Sequence, residues 1–101
     1  MLDIAKLSVE AIGTFIFLCV ILQTLSDRTI GPHAVAITLL AVLYFGASTS
    51  GAHFNPAVSA AMYFEHQIDL ETLIYFVSAQ LVGAFLAVKF YNLVLKHKGF
   101  F

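Results

Sequence analysis

The sequence predicts an all-α membrane protein with three transmembrane helices plus one re-entrant half-helix, and three observations carry that prediction. First, the chain of 101 residues is 60% hydrophobic and only 11% charged, where a soluble domain carries about 25% charged residues. Its mean hydropathy is +0.93. Second, the charges are gathered at Asp3/Lys6/Glu10, Asp27/Arg28, Glu65/Asp69/Glu71 and Lys89/Lys96/Lys98, which leaves charge-free stretches at 11–26, 29–64 and 72–88. A spanning helix needs about 20 apolar residues, so three membrane segments follow. Third, the middle stretch runs for 36 residues, too long for one span and too short for two with a connection.

Taken in order, the first helix is expected over about 4–25. The second is expected over about 33–49, after a polar turn from Ser26 to Pro32 in which Gly31-Pro32 acts as the breaker. The surplus at 50–64 begins with Gly, His, Asn and Pro and then becomes helix-compatible. Asn55 is a good N-cap and Pro56 suits a first helical turn, where its missing N–H would be unpaired anyway. The local chemistry therefore reads as loop, cap, Pro and a short helix from Ala57 to Tyr63. Irregular backbone at membrane depth is tolerated only when buried in protein or lining a water-filled cavity, so this element implies a pore or a partner surface. An acidic loop from Glu65 to Glu71 leads to a third helix over about 72–96 and a short Lys/His tail. The whole chain, 1–101, reads as a single domain.

Several function classes drop out. A net charge of −1 supplies no basic face for nucleic acid. No nucleophile–base pair and no metal-ligand spacing is present, so neither an enzyme nor a cofactor is expected. The single cysteine, Cys19, has no intrachain partner and reads as a buried, inert thiol. Ala11 to Leu25 lacks the basic lead-in of a signal peptide and is read as a retained helix. The ten Phe and the absence of Trp describe lipid-facing and core bulk, and Lys89 is expected to snorkel to the interface.

At Ser50-Gly51-Ala52-His53-Phe54-Asn55-Pro56-Ala57-Val58 the chain resembles the first Asn-Pro-Ala loop of the aquaporin and aquaglyceroporin (major intrinsic protein) family. The flanks agree. Glu10-Ala11-Ile12-Gly13-Thr14-Phe15 resembles the family's first-helix signature, and Ala79-Gln80-Leu81-Val82-Gly83-Ala84 resembles its third-helix pattern. The likeness covers about residues 5–95 and only the N-terminal half of a family member, which is an inverted repeat of two such halves.

The resemblance implies a passive channel for water or small neutral solutes such as glycerol in the lipid bilayer. Asn55, Pro56 and Ala57 would face the pore, with Asn55 donating its amide to the solute. Gly51, Ala52 and His53 would offer backbone carbonyls, and the positive end of the half-helix dipole would repel cations. The residues alone leave other readings open: Asn55 as a plain cap, and His53 as loop packing. Glu10 is implied to brace the re-entrant loop, against simple solvation at a helix end, because ionisable groups inside spans usually face the protein interior. Gln80 is implied to do the same, against an ordinary interhelical hydrogen bond of about 1 kcal/mol. Gly13 and Gly83 would let helices cross closely. Val35, twenty residues before Asn55, matches a selectivity-ring position that is often aromatic in the family; a valine there would widen it.

The sequence departs from the family pattern in having no second Asn-Pro-Ala loop, and Val58 follows the first where the second motif would carry the ring's arginine. A pore would then be completed by a second chain, as an antiparallel or higher-order homo-oligomer or with a complementary half. Alternatives are a non-conducting subunit that modulates a full-length channel, or a truncated channel fragment. The resemblance places the N-terminus in the cytoplasm, whereas Arg28, Lys96 and Lys98 on the other side mildly favour the reverse.

Overall fold

A computed structural model describes residues 3–98, and every regular element among them is helical. Helix α1 spans Ile4–Gln23, α2 Ile30–Gly46, α3 Pro56–Phe64 and α4 Leu70–Leu93, and a 3₁₀ turn covers Leu95–His97. Two segments, Ile4–Gln23 and Leu70–His97, are long and apolar enough to cross a membrane, while α2 is a shorter apolar helix of 17 residues. At 1.5 Å per residue α1 measures about 30 Å, the thickness of a bilayer's hydrocarbon core.

The helix starts are set by side chains that accept otherwise unpaired N–H groups. Asp3 accepts from the Lys6 N–H, Asn55 from the Ala57 N–H and Asp69 from the Thr72 N–H. The expected α2 start at His33 is corrected to Ile30, because the Asp27 carboxylate accepts from the Thr29 and Ile30 N–H groups and nucleates the helix earlier. Gly31-Pro32 is therefore not a breaker. Pro32 falls in the first turn, where an N–H has no intrahelical acceptor to lose. For the same reason α4 begins at Leu70 rather than Thr72: Asp69, and not a later residue, is its cap.

The helix ends also fall short of the lengths expected from composition. Helix α1 stops at Gln23, where Thr24 leaves helical geometry at φ −112°, ψ 15°. Helix α2 stops at Gly46, with the Thr49 and Ser50 N–H groups both turning back onto the Gly46 carbonyl. Val94 leaves helical geometry at φ −127°, ψ −64° and ends α4 before Lys96. Helix α3 closes with His66 at φ 63°, its N–H on the Tyr63 carbonyl and the Gln67 N–H on the Met62 carbonyl, a Schellman closure with His in place of the usual Gly.

Helix α1 is central. It packs against both α4 and α2, and α3 lies against α4. The α1–α4 crossing is close at Gly83, where a Cβ would stand 2.5 Å from the Ala11 carbonyl oxygen. The distribution of polarity is inverted relative to a water-soluble domain. The largest fully buried side chains are Gln80, Glu10 and Ser59, whereas Ile37, Leu40, Tyr44, Ile74, Leu81 and Phe85 are all exposed. Apolar exposure on this scale is stable against lipid or another apolar surface, not against water.

Candidate functional site: the loop before α3 and its buried carboxylate

Between α2 and α3 the chain runs through residues 47–55 without regular structure. Gly51, Ala52 and Phe54 have positive φ of 90°, 57° and 54°. For Ala52 and Phe54 that conformation costs roughly 1–2 kcal/mol each, so something outside the loop must hold it.

Glu10 of α1 does so. Its side chain is fully buried, and Oε2 accepts from the Ser50 hydroxyl at 2.6 Å and the His53 N–H at 3.0 Å. Oε1 accepts from the Phe54 N–H at 2.7 Å and Gln80 Nε2 at 2.9 Å. Ser50 Oγ also accepts from the Ala52 N–H at 3.1 Å. Four donors fill the acceptor sites of an ionised carboxylate, and hydrogen bonds to a charged acceptor are about twice as strong as neutral ones. Both oxygens of the buried Glu10 side chain thus have two partners each at the centre of the fold.

The result is a backbone with two unlike edges. The N–H groups of Ala52, His53 and Phe54 are all taken up by Ser50 and Glu10, whereas the carbonyls of Gly51, Ala52, His53 and Phe54 accept no hydrogen bond among the described residues. The Phe54 ring is the loop's apolar anchor. It is 3% exposed and belongs to a small core with Val42 and Ala52. It occupies the space that side chains at Gly13 and Gly46 would fill; a Cβ at Gly46 would stand 2.6 Å from Phe54 Cζ. Gly13 is thus corrected from a helix-crossing residue to a recess for the loop's own ring, while Gly83 lies at the crossing itself.

Asn55 and Pro56 follow at the exposed end of the loop. Asn55 spends its Oδ1 on the Ala57 N–H at 2.8 Å, and its Nδ2 makes no hydrogen bond. Ala57 is exposed as well. His53 is buried, with its ring edge against Phe76 at 5.0 Å and its Nδ1 2.7 Å from Ser59 Oγ. Ser59 in turn accepts from Gln80 Nε2 at 2.9 Å.

Val35 stands apart from this group. It lines a largely apolar groove between the end of α1 and the start of α2, with Ile21, Thr24, Pro32 and Leu39, and no residue of 50–57 borders it. Sequence reasoning overlooked Ser50, Phe54, Gly46 and Ser59 as parts of the site. No local signal separates them, since Ser50 follows Ser48 and Thr49 and Ser59 stands alone in a short helix.

A family model for the major intrinsic proteins matches residues 10–99. The chain belongs to the major intrinsic protein family. It is 32% identical over 87 residues to Aquaporin-B of Dictyostelium discoideum, a match covering 77% of this chain and 30% of that protein. It is 43% identical over 53 residues to glycerol uptake facilitator protein-like 6 of Lactiplantibacillus plantarum, covering 52% of this chain and 24% of the relative. A third relative, the probable aquaporin PIP-type 7a of Pisum sativum, is 29% identical over 87 residues, 74% of this chain and 30% of its own length. The chain thus spans about a third or less of the curated relatives it matches. No solved structure matches it significantly. Major intrinsic proteins are integral membrane channels rather than enzymes, and the inverted polarity of the fold suits that setting.

Proposed function

We propose that the chain supplies one half of the lining of a passive channel for water or small neutral solutes such as glycerol. The observation that carries this reading is the split loop backbone, in which N–H groups are tied to Ser50 and Glu10 while four successive carbonyls are left unpaired. Unpaired backbone oxygens inside a membrane protein need a partner, and a file of water or hydroxyl groups provides one. Each solute molecule then exchanges its hydrogen bonds to water for bonds to these carbonyls and to the free Nδ2 of Asn55, with no covalent step. The N-terminus of α3 starts immediately after Asn55, and its partial positive charge disfavours cations at that point.

In this reading α1, α2 and α4 cross the bilayer and α3 is a re-entrant half-helix. Glu10 and Gln80 brace the loop, Gly51, Ala52 and His53 contribute acceptors, and Val35 takes the selectivity-ring position, where a valine widens the constriction. A single half-helix lines one side of a pore, so a facing half is required, from a second copy of this chain, from a complementary half, or from the remainder of a longer chain of which this is a fragment. Two copies would place Val58 and no arginine beside each motif, leaving a pore without that fixed donor and less selective.

The test is reconstitution in lipid vesicles with osmotic challenge by water, glycerol and urea side by side. Permeability above empty vesicles supports the proposal. If permeability stays at the empty-vesicle level, both alone and with a complementary half supplied, the proposal fails.

A further inference from the structure

Around His53 the hydrogen-bond partners fix where every proton lies. Gln80 donates from one nitrogen to both Glu10 Oε1 and Ser59 Oγ, each at 2.9 Å. An amide flip would turn Gln80 Oε1 onto the Glu10 carboxylate, oxygen against oxygen, so the amide orientation is set by Glu10. Both hydrogens of that nitrogen are thus committed. Ser59 Oγ accepts one of them, and its own hydroxyl hydrogen has a single available acceptor among the described residues, His53 Nδ1 at 2.7 Å. If Nδ1 carried the proton instead, Ser59 Oγ would face two donors and its own hydrogen would have no acceptor in a fully buried position.

We infer that Ser59 and Gln80 are positioning residues that hold His53 as the neutral tautomer with its proton on Nε2, presenting a fixed donor beside the carbonyl edge of the loop. Nε2 makes no hydrogen bond, yet it is not among the buried polar atoms without a partner, so it keeps accessible surface. Gly51 is its neighbour on that side, since a Cβ there would stand in van der Waals contact, 3.6 Å from Nε2. The donors run one way: Gln80 to Ser59, Ser59 to His53 Nδ1, and His53 Nε2–H outward. The ligand class this edge suits is a neutral oxygen that can both accept and donate, a water or an alcohol hydroxyl, bridging Nε2–H and a neighbouring carbonyl. Only that last assignment rests on the proposed channel function; the tautomer does not.

The experiment is ¹⁵N NMR of the full chain, ring-labelled at histidine, in lipid bilayers near neutral pH. His33, His66 and His97 are exposed and are removed as His33→Gln, His66→Asn and His97→Gln, Asn being suited to the positive φ at 66, which leaves His53 as the one labelled ring. The expected spectrum has Nδ1 at the downfield position of an unprotonated acceptor and Nε2 at the upfield position of an N–H. Ser59→Ala is expected to move the Nδ1 signal upfield as Nδ1–H rings appear, and Ser59→Thr to restore it. A parent spectrum with Nδ1 protonated, in a neutral or a charged ring, overturns the inference, and so does a Ser59→Ala spectrum identical to the parent. The parent spectrum decides the tautomer whether or not the variants fold. Because the readout is a proton position, failure of the vesicle assay would leave it standing and its failure would leave the channel reading standing.

Discussion

Replacing Glu10 by Gln exchanges one carboxylate oxygen for an NH₂ group and so turns one acceptor into a donor. The least costly orientation puts the NH₂ on the Oε2 side, where the Ser50 hydroxyl can rotate and accept. The His53 N–H, 3.0 Å from Oε2 in the parent, then faces a donor, and an orphaned buried N–H costs about 1–3 kcal/mol. The Phe54 and Gln80 bonds at Oε1 survive but lose charge assistance, about 1 kcal/mol each. Partly offsetting this, a neutral amide needs less desolvation than a carboxylate. The balance is a loss of about 3 kcal/mol, or roughly a hundredfold shift toward the undocked loop. Hydrogen exchange of the His53 and Phe54 amides should quicken by about that factor, with a lowered thermal midpoint in detergent micelles. Parent-like exchange at both amides in Glu10→Gln would show that the carboxylate does not hold the loop.

Asn55→Asp keeps the oxygen that caps α3 and replaces the free NH₂ by a charged oxygen that a helix N-terminus favours, so its thermal midpoint should be no lower than the parent's while vesicle permeability falls; Asn55→Ala should lose about 1 kcal/mol of stability as well. Gly83→Ala should cost about 1–3 kcal/mol, because the new methyl meets the Ala11 backbone rather than a movable side chain. Gly13→Ala should be destabilising in the parent and much less so with Phe54→Ala, a coupling read from the double-mutant cycle. Asp27, held below the usual carboxylate range first by the Ile30 N–H, and Asp69, held below it first by hydrogen bonding from Thr72, lie outside the spans. Because their folded pKa values are depressed, their contribution is present above the ordinary carboxylate pKa and is lost as pH falls through the lower folded values. Thermal midpoints of Asp27→Asn and Asp69→Asn should therefore respond less to acid over that window than the parent's.

What was legible in the sequence was mostly local. The cap at Asn55 with Pro56 after it is a two-residue signal, and the structure places α3 within a residue of the expected limits at each end. The helices announced themselves through charge-free runs, but composition does not mark where a helix stops; Thr24, Gly46 and Val94 end them by backbone geometry. Gly31-Pro32 misled because a Gly-Pro pair reads as a breaker unless it is known that the preceding Asp27 already accepts from the Thr29 and Ile30 N–H groups. The partners of Glu10 lie 40 to 70 positions away, so no local pattern joins them; only the family resemblance did. Gly13 and Gly83 look alike in sequence, and only tertiary packing separates a recess for Phe54 from a helix crossing. Ser59 went unread because a lone serine in a short helix says nothing until Gln80 and His53 converge on it.

The central claim is that this loop is a solute path and not merely a packed connection. Stopped-flow light scattering on vesicles holding equal amounts of the parent and of Asn55→Asp tests it most directly, since the variant exchanges the free NH₂ for a charged carboxylate oxygen while the cap is retained. Parent permeability is expected above that of empty vesicles, with the Asn55→Asp rate close to the empty-vesicle value. Equal rates for the two proteins, with folding unchanged, would contradict it.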